Sequence, residues 1–270
     1  MQAGMKIAIG GKGGVGKTTI CAVLAQIFAD DGFDVLAVDA DSNTSLALAF
    51  GMSSDQSPEP LIKMKQLIAE RTGTGKDATG AYFRLNPKVN DLPQEYWRKI
   101  NGIKLLVLGS ITEAGAGCAC PEGAFLRAML THTILQRQEM VLVDLAAGVE
   151  FMGRASVQGI DALVVVVEPG SRSIETAVNI TRMAQKLGVK HVAGIINKVT
   201  IPQQIEAITS QLKNLVILGS INYRPEVQQA DLCRGSVYQA SPSLVDKLRM
   251  AKDALNNLLQ DEVSVKVSDK

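Results

Sequence analysis

The chain has 270 residues, 46% of them hydrophobic and 20% charged, with a formal net charge of +1. That is ample apolar material for one large α/β core, and the near-neutral balance argues against a nucleic-acid binder working by bulk electrostatics. No apolar run exceeds the length of a strand, and Met-Gln-Ala-Gly-Met lacks a basic segment leading into an apolar one. A soluble cytoplasmic protein without membrane attachment is therefore expected, its four cysteines being thiols or metal ligands more than disulfides.

Lys6 to Ile9 reads as a short buried strand. Gly11, Gly13, Gly14 and Gly16 follow, with Lys12 and Val15 between them, and Lys17, Thr18 and Thr19 open a helix. This is G-x-x-x-x-G-K-[ST] in its strand–loop–helix setting. The glycines let backbone N–H groups turn inward onto a phosphate chain, and the helix N-terminus adds partial positive charge. Lys17 is placed to reach the β- and γ-phosphates of ATP, and the Thr18 hydroxyl to take a position on Mg²⁺. A second lysine, Lys12, makes the loop resemble the deviant Walker A loop of the MinD/ParA/nitrogenase-iron-protein class. That resemblance implies that Lys12 crosses a dimer interface to the phosphates bound by the other subunit. Nucleotide state and homodimerisation would then be one equilibrium.

Ile20, Val23, Leu24, Ile27 and Phe28 form a helical stripe that ends at Gly32. Val35 to Val38 is a buried strand running into Asp39-Ala-Asp41-Ser-Asn43, the end at which a doubly wound sheet places its ligands. These aspartates suit either a site or a helix cap; the resemblance gives Asp41 a role in orienting or activating the attacking water. Residues 52–102 form an irregular excursion, with a helical pattern over Leu61–Ala69, a flexible Arg71–Gly80 loop, a turn at Asn86-Pro87 and Trp97 as packing. Ile103–Leu108 returns to the sheet.

Cys118-Ala-Cys120-Pro121 precedes a helix carrying Phe125, Leu126, Met129 and Leu130. Alone, C-x-C is a labile thiol pair or half a metal site, since a soft divalent metal usually takes four ligands. Two chains about a two-fold axis would supply four thiolates. With Asn86-Pro87-Lys88-Val89, Gly117 to Arg127, Asp144 to Glu150, Gly153-Arg154, Val167-Glu168-Pro169 and Ser173 to Thr176, the chain resembles the CooC-type ATPases. Those proteins insert nickel into carbon monoxide dehydrogenase or acetyl-CoA synthase. The resemblance implies Ni²⁺, with Zn²⁺ competing, on Cys118 and Cys120 across a dimer, and one of those enzymes as client. Ala146 and Phe151 depart from the acidic residue and histidine often found there.

Met140–Val143 is the Walker B strand, with Asp144 expected to hold Mg²⁺ through a water. Ala146, Ala147 and Gly148 leave room for backbone N–H groups to sense a γ-phosphate. Ala162–Val167 is a strand of a sheet covered on both faces, Ser171–Leu187 a helix, Val192–Ile196 and Leu215–Ile221 two further strands. By resemblance Asn197 recognises adenine, beside Lys198 and a loop with Arg224 and Pro225. Ser243–Leu259 is an amphipathic helix whose mixed charges favour docking over membrane binding, with a frayed tail from Asp261. Cys21 and Cys233 read as structural. The expected architecture is one P-loop ATPase domain over 1–270: a doubly wound, mainly parallel sheet of about seven strands with helices on both faces. Two alternatives remain: a ParA/MinD-like positioning ATPase, and an electron-transfer ATPase with a [4Fe–4S] cluster between subunits.

Overall fold

The computed structural model describes residues 4–41, 43–53, 55–74, 84, 96–109, 121–129, 139–148 and 159–268. Its centre is β1 (Lys6–Gly11), flanked by β5 (Met140–Leu145) and β6 (Ala162–Val167). Beyond β5 lie β2 (Val35–Ala40), β4 (Ile103–Val107) and β3 (Trp97–Ile100). Beyond β6 lie β7 (His191–Val199) and β8 (Val216–Asn222). The order β3-β4-β2-β5-β1-β6-β7-β8 makes a sheet of eight strands, all paired in parallel except β3 against β4.

The chain leaves β1 for β2 on one side and later crosses from β5 to β6 on the other. The carboxyl ends of β1, β5 and β6 are thus the switch point where open α/β sheets bind ligands. Ile7 and Ile9 face one core layer, with Ile20, Val23, Ile27 and Phe28 of α1 (Lys17–Asp30) and Leu244 and Leu248 of the last helix. Ala8 and the neighbouring Leu36, Val38, Leu163 and Val165 face the other, packed on Phe125, Ala177, Ile180 and Ile208. A sheet buried on both faces explains why Ala162–Val167 is apolar throughout.

The sheet has one strand more than expected, and it lies in the supposed irregular excursion. Asn101 and Gly102, at φ +48° and +84°, make a two-residue hairpin turn that folds Trp97–Ile100 back on Ile103. Asn-Gly is a strong signal for such a turn, and it was available in the sequence. Trp97 is half-buried, its ring centroid 5.9 Å from the Lys104 ammonium. The Leu61–Ala69 pattern resolves into a 3₁₀ turn, Leu61–Lys63, and α3 (Lys65–Thr72). Other elements are α2 (Leu46–Ala49), α4 (Pro121–Ala128), α5 (Ser171–Lys186), α6 (Gln203–Thr209), α7 (Pro225–Leu232), α8 (Val237–Ala240) and α9 (Pro242–Ser268).

The last helix docks as expected: Leu244, Leu248, Ala251 and Leu255 are buried, and Arg249 and Lys252 both pair with Asp31 at the end of α1. It also runs on through the expected frayed tail, where no Gly or Pro interrupts it. Among the described residues no helix is long and apolar enough to cross a membrane. Cys21 is fully buried in α1, where burial pushes its thiol well up. Cys233, expected to be structural too, is exposed beyond α7 and so contributes no core packing.

Candidate nucleotide site

The loop between β1 and α1 holds its shape through glycine and long-range bonds. Gly11 sits at φ +147°, and a Cβ there would lie 2.5 Å from the Val166 carbonyl oxygen. Gly16 sits at φ +98°, and a Cβ there would lie 2.5 Å from the Asn197 side-chain nitrogen. Neither position admits another residue. Val15 is buried beneath the loop, and its carbonyl accepts a 2.8 Å bond from Asn197 Nδ2. Gly13 and Gly14 face outward. Lys17 is only 6% exposed, its Nζ donating to the Lys12 carbonyl at 3.3 Å, so its charge is already gathered under the loop.

Asp39 and Asp144, at the ends of β2 and β5, are both fully buried. Asp39 accepts N–H bonds from Leu46 at 2.9 Å and Asp41 at 3.1 Å, so it does cap α2 while lying within the site. Burial nevertheless pushes its carboxyl up to about 6. Asp144 accepts from the Thr18 hydroxyl at 2.6 Å, and burial, with Asp39 and Asp41 nearby, pushes it up to about 7. Its second oxygen is buried without a partner among the described residues. Ser45 Oγ stands 3.4 Å from Thr18 Oγ1; sequence reasoning missed it, because Asp41-Ser-Asn-Thr-Ser45 looks like an ordinary capping run.

A hydroxyl, an orphaned buried carboxylate oxygen and mutually repelling aspartates are the donor set that a hard divalent cation relieves. The residues present therefore fit Mg²⁺. Among the described residues no three or more His, Cys, Asp or Glu form a metal cluster by themselves, in keeping with an ion held largely by water and substrate phosphates. Asp41, half-buried at the rim, accepts the Asn43 N–H at 3.0 Å. Gly148 donates its N–H to the Gly11 carbonyl at 3.2 Å. To serve as a γ-phosphate sensor, this amide must first exchange that partner.

A cleft of about 340 Å³ continues from the loop between β7, β8 and α7, lined by Gly14, Gly16, Thr18, Thr19, Asn197, Lys198, Tyr223 and Arg224 among others. Asn197 thus borders the expected base position while also bonding the loop. Arg224 turns toward Ser243, bonding its hydroxyl and, at 3.3 Å, its carbonyl. Pro225 opens α7 beside the cleft. At the mouth, the Lys12 ammonium lies 3.5 Å from the Glu168 carboxylate. Cys118, Cys120, the Asn86-Pro87 turn and Phe151 lie outside the described residues.

A glycine loop entering a helix at the sheet's switch point, beside a hydroxyl and a buried aspartate, defines a P-loop nucleotide-binding protein. The CobQ/CobB/MinD/ParA nucleotide-binding domain model matches residues 6–235, and the chain belongs to that family of ATPases. Similarity to the carbon monoxide dehydrogenase accessory protein CooC of Rhodospirillum rubrum is 42% identity over 93% of this chain and 96% of that one. An ATP-binding protein of Methanocaldococcus jannaschii is also 42% identical, over 84% of this chain and 88% of its own length. Among solved structures, MinD of Pyrococcus horikoshii with Mg-ADP superposes with a TM-score of 0.66 at 17% identity, covering 94% and 96% of the two chains. The expected fold class and the CooC-type, MinD-like kinship are both borne out.

Proposed function

We propose that this protein is a cytoplasmic, ATP-dependent nickel carrier that matures carbon monoxide dehydrogenase or acetyl-CoA synthase as a nucleotide-dependent homodimer. The observation that carries the reading is the 42% identity to CooC along nearly the whole of both chains. The two-lysine loop and Cys118-Ala-Cys120 supply the chemistry it requires.

Lys17 gathers the β- and γ-phosphates of ATP, and the loop N–H groups cradle the chain. Thr18 and Asp144 hold Mg²⁺, which when bound neutralises charge developing on the phosphates. Asp41, at the rim with its carboxylate steadied by the Asn43 N–H, orients the attacking water. Lys12 completes the site of the other subunit, so hydrolysis dissolves the contact that ATP made. Asn197 and the Lys198, Arg224 and Pro225 surroundings take the base. Cys118 and Cys120 from both subunits bind one Ni²⁺ as cargo, or Zn²⁺ in competition, and nucleotide turnover delivers it to the client.

Anaerobic Ni²⁺ titration followed by ultraviolet absorption tests this directly. One Ni²⁺ per two subunits, with thiolate charge-transfer bands altered by ATP, is expected. Replacing both Cys118 and Cys120 with Ala should abolish stoichiometric binding and spare ATP hydrolysis. Unchanged Ni²⁺ binding in the double variant would reject the cysteine site.

A further inference from the structure

Lys12 has a cis partner that is built into the scaffold. Its ammonium lies 3.5 Å from Glu168 Oε1 and 3.4 Å from the Gly13 carbonyl oxygen. The other oxygen of Glu168 lies 3.3 Å from the Lys198 ammonium, which also donates to the Gly14 carbonyl. One carboxylate thus joins both cations that brace the outer half of the loop.

The surrounding backbone commits to this arrangement. Glu168 follows β6 directly, and β6 pairs with β1 as far as Gly11↔Val166, which brings the carboxylate level with the loop. Its N–H donates to Ser173 Oγ at 3.0 Å, and Ser173 is buried at the start of α5. Lys198 adopts the left-handed region at φ +58°, a conformation that costs a non-glycine residue free energy and persists only when its surroundings impose it. From there its ammonium reaches both Gly14 and Glu168.

We infer that Glu168 is a positioning residue that holds Lys12 in cis and thereby sets the ATP concentration at which two copies pair. This rests on the reading above, in which Lys12 serves the other subunit. For Lys12 to reach across, its ammonium must exchange the Glu168 carboxylate for phosphate oxygens. Because a symmetric dimer makes that exchange twice, the cost counts twice in the association constant. Lys12 and Glu168 are 36% and 23% exposed in their side chains, so each exchange weighs as a partly screened ion pair, about two- to fivefold in an equilibrium constant. The dimer constant should then change by about fourfold to twenty-fivefold when the carboxylate is neutralised.

The test is sedimentation velocity of the full chain titrated with Mg²⁺ and a slowly hydrolysed ATP analogue, comparing wild type, Glu168→Gln and Lys12→Ala. Mg·ADP affinity, which needs no partner lysine, is measured alongside. Wild type should dimerise, Lys12→Ala should not, and Glu168→Gln should dimerise about fourfold to twenty-fivefold more tightly than any change in its Mg·ADP affinity accounts for. A wild type that stays monomeric, or a Lys12→Ala protein that pairs normally, would overturn the dimer reading and this inference with it. If wild type and Lys12→Ala behave as stated but Glu168→Gln pairs no more tightly, only the inference fails. It fails likewise if Mg·ADP affinity rises in step with dimerisation, because Glu168 would then act on nucleotide binding and not on Lys12.

Discussion

The two ends of the nucleotide cleft are built by opposite means. At the phosphate end, Lys17, Asp39 and Asp144 are buried, Lys17 as the first residue of α1 and the two aspartates on strands at the middle of the sheet. At the base end, Tyr223 is 46% exposed and Arg224 is committed to Ser243, on the loop after the edge strand β8. The buried end holds charges at a standing cost, ready for a charged ligand. The base end holds Tyr223 and Arg224 on bonds to Gln228 and Ser243, which a base must displace to recruit them. Substitutions at the phosphate end should therefore act mainly on turnover, and those at the base end on affinity, with smaller effect.

Lys17→Ala is the sharpest way to break that contrast. It removes a buried cation under the loop, while its bond to the Lys12 carbonyl is weak at 3.3 Å. Phosphate release under saturating Mg·ATP should fall on the order of 100-fold or more, with the thermal transition kept. Asp41→Ala comes next, also on the order of 100-fold in turnover if the carboxylate orients water. Because Asp41 lies at the rim, nucleotide affinity should move by less than about threefold. A loss confined to affinity would remove Asp41 from the chemistry.

The buried carboxylates also predict an inverted pH dependence of stability. Asp144 in the folded chain titrates near 7, well above the ordinary value of 3.8. A raised acid binds its proton more tightly folded than unfolded, so its contribution is fully present below about pH 4 and lost as pH rises through about 7. Without nucleotide and Mg²⁺, Asp144→Asn should gain in Tm over wild type as pH rises from about 5 to about 8, by a few degrees. Mg·ATP, by giving the carboxylate a cation, should shrink that difference. A Tm gap between the two proteins that does not vary with pH would show that Asp144 is not strained by its charge.

How far the sequence can be read follows the same division. The phosphate loop, its helix and the aspartate ending β5 are local patterns, each declared within a few residues, and the structure carries them where they were expected. What could not be read depends on packing between distant segments. Asn197 bonds the Val15 carbonyl across 182 positions, and the Glu168 carboxylate meets Lys12 only because β6 lies beside β1. Ser45 enters the site through the fold of the β2–α2 turn. The β3 hairpin is a different case: Asn101-Gly102 announced it, but the patternless stretch before the turn concealed its first strand.

The smallest expected effects separate the two residues that border the base. Asn197→Ala deletes a bond to a buried carbonyl, so it should weaken loop binding of any phosphate chain; an unsatisfied buried acceptor costs about 1–3 kcal/mol. Arg224→Ala deletes contacts to Ser243 and a 3.6 Å pair with Glu226, none of which touch the loop. Comparing ATP with tripolyphosphate, which lacks a base, distinguishes them. Asn197→Ala should weaken tripolyphosphate by about fivefold through the loop, the low end of that cost, and ATP by about fifteenfold, the excess reporting contact with the base. Arg224→Ala should leave tripolyphosphate unchanged and weaken ATP by about threefold or less. Equal losses for both ligands in Asn197→Ala would assign that residue to the phosphate end alone. Base recognition would then rest on the Tyr223–Arg224 side of the cleft, and the contrast between a prebuilt and a recruited end would become sharper.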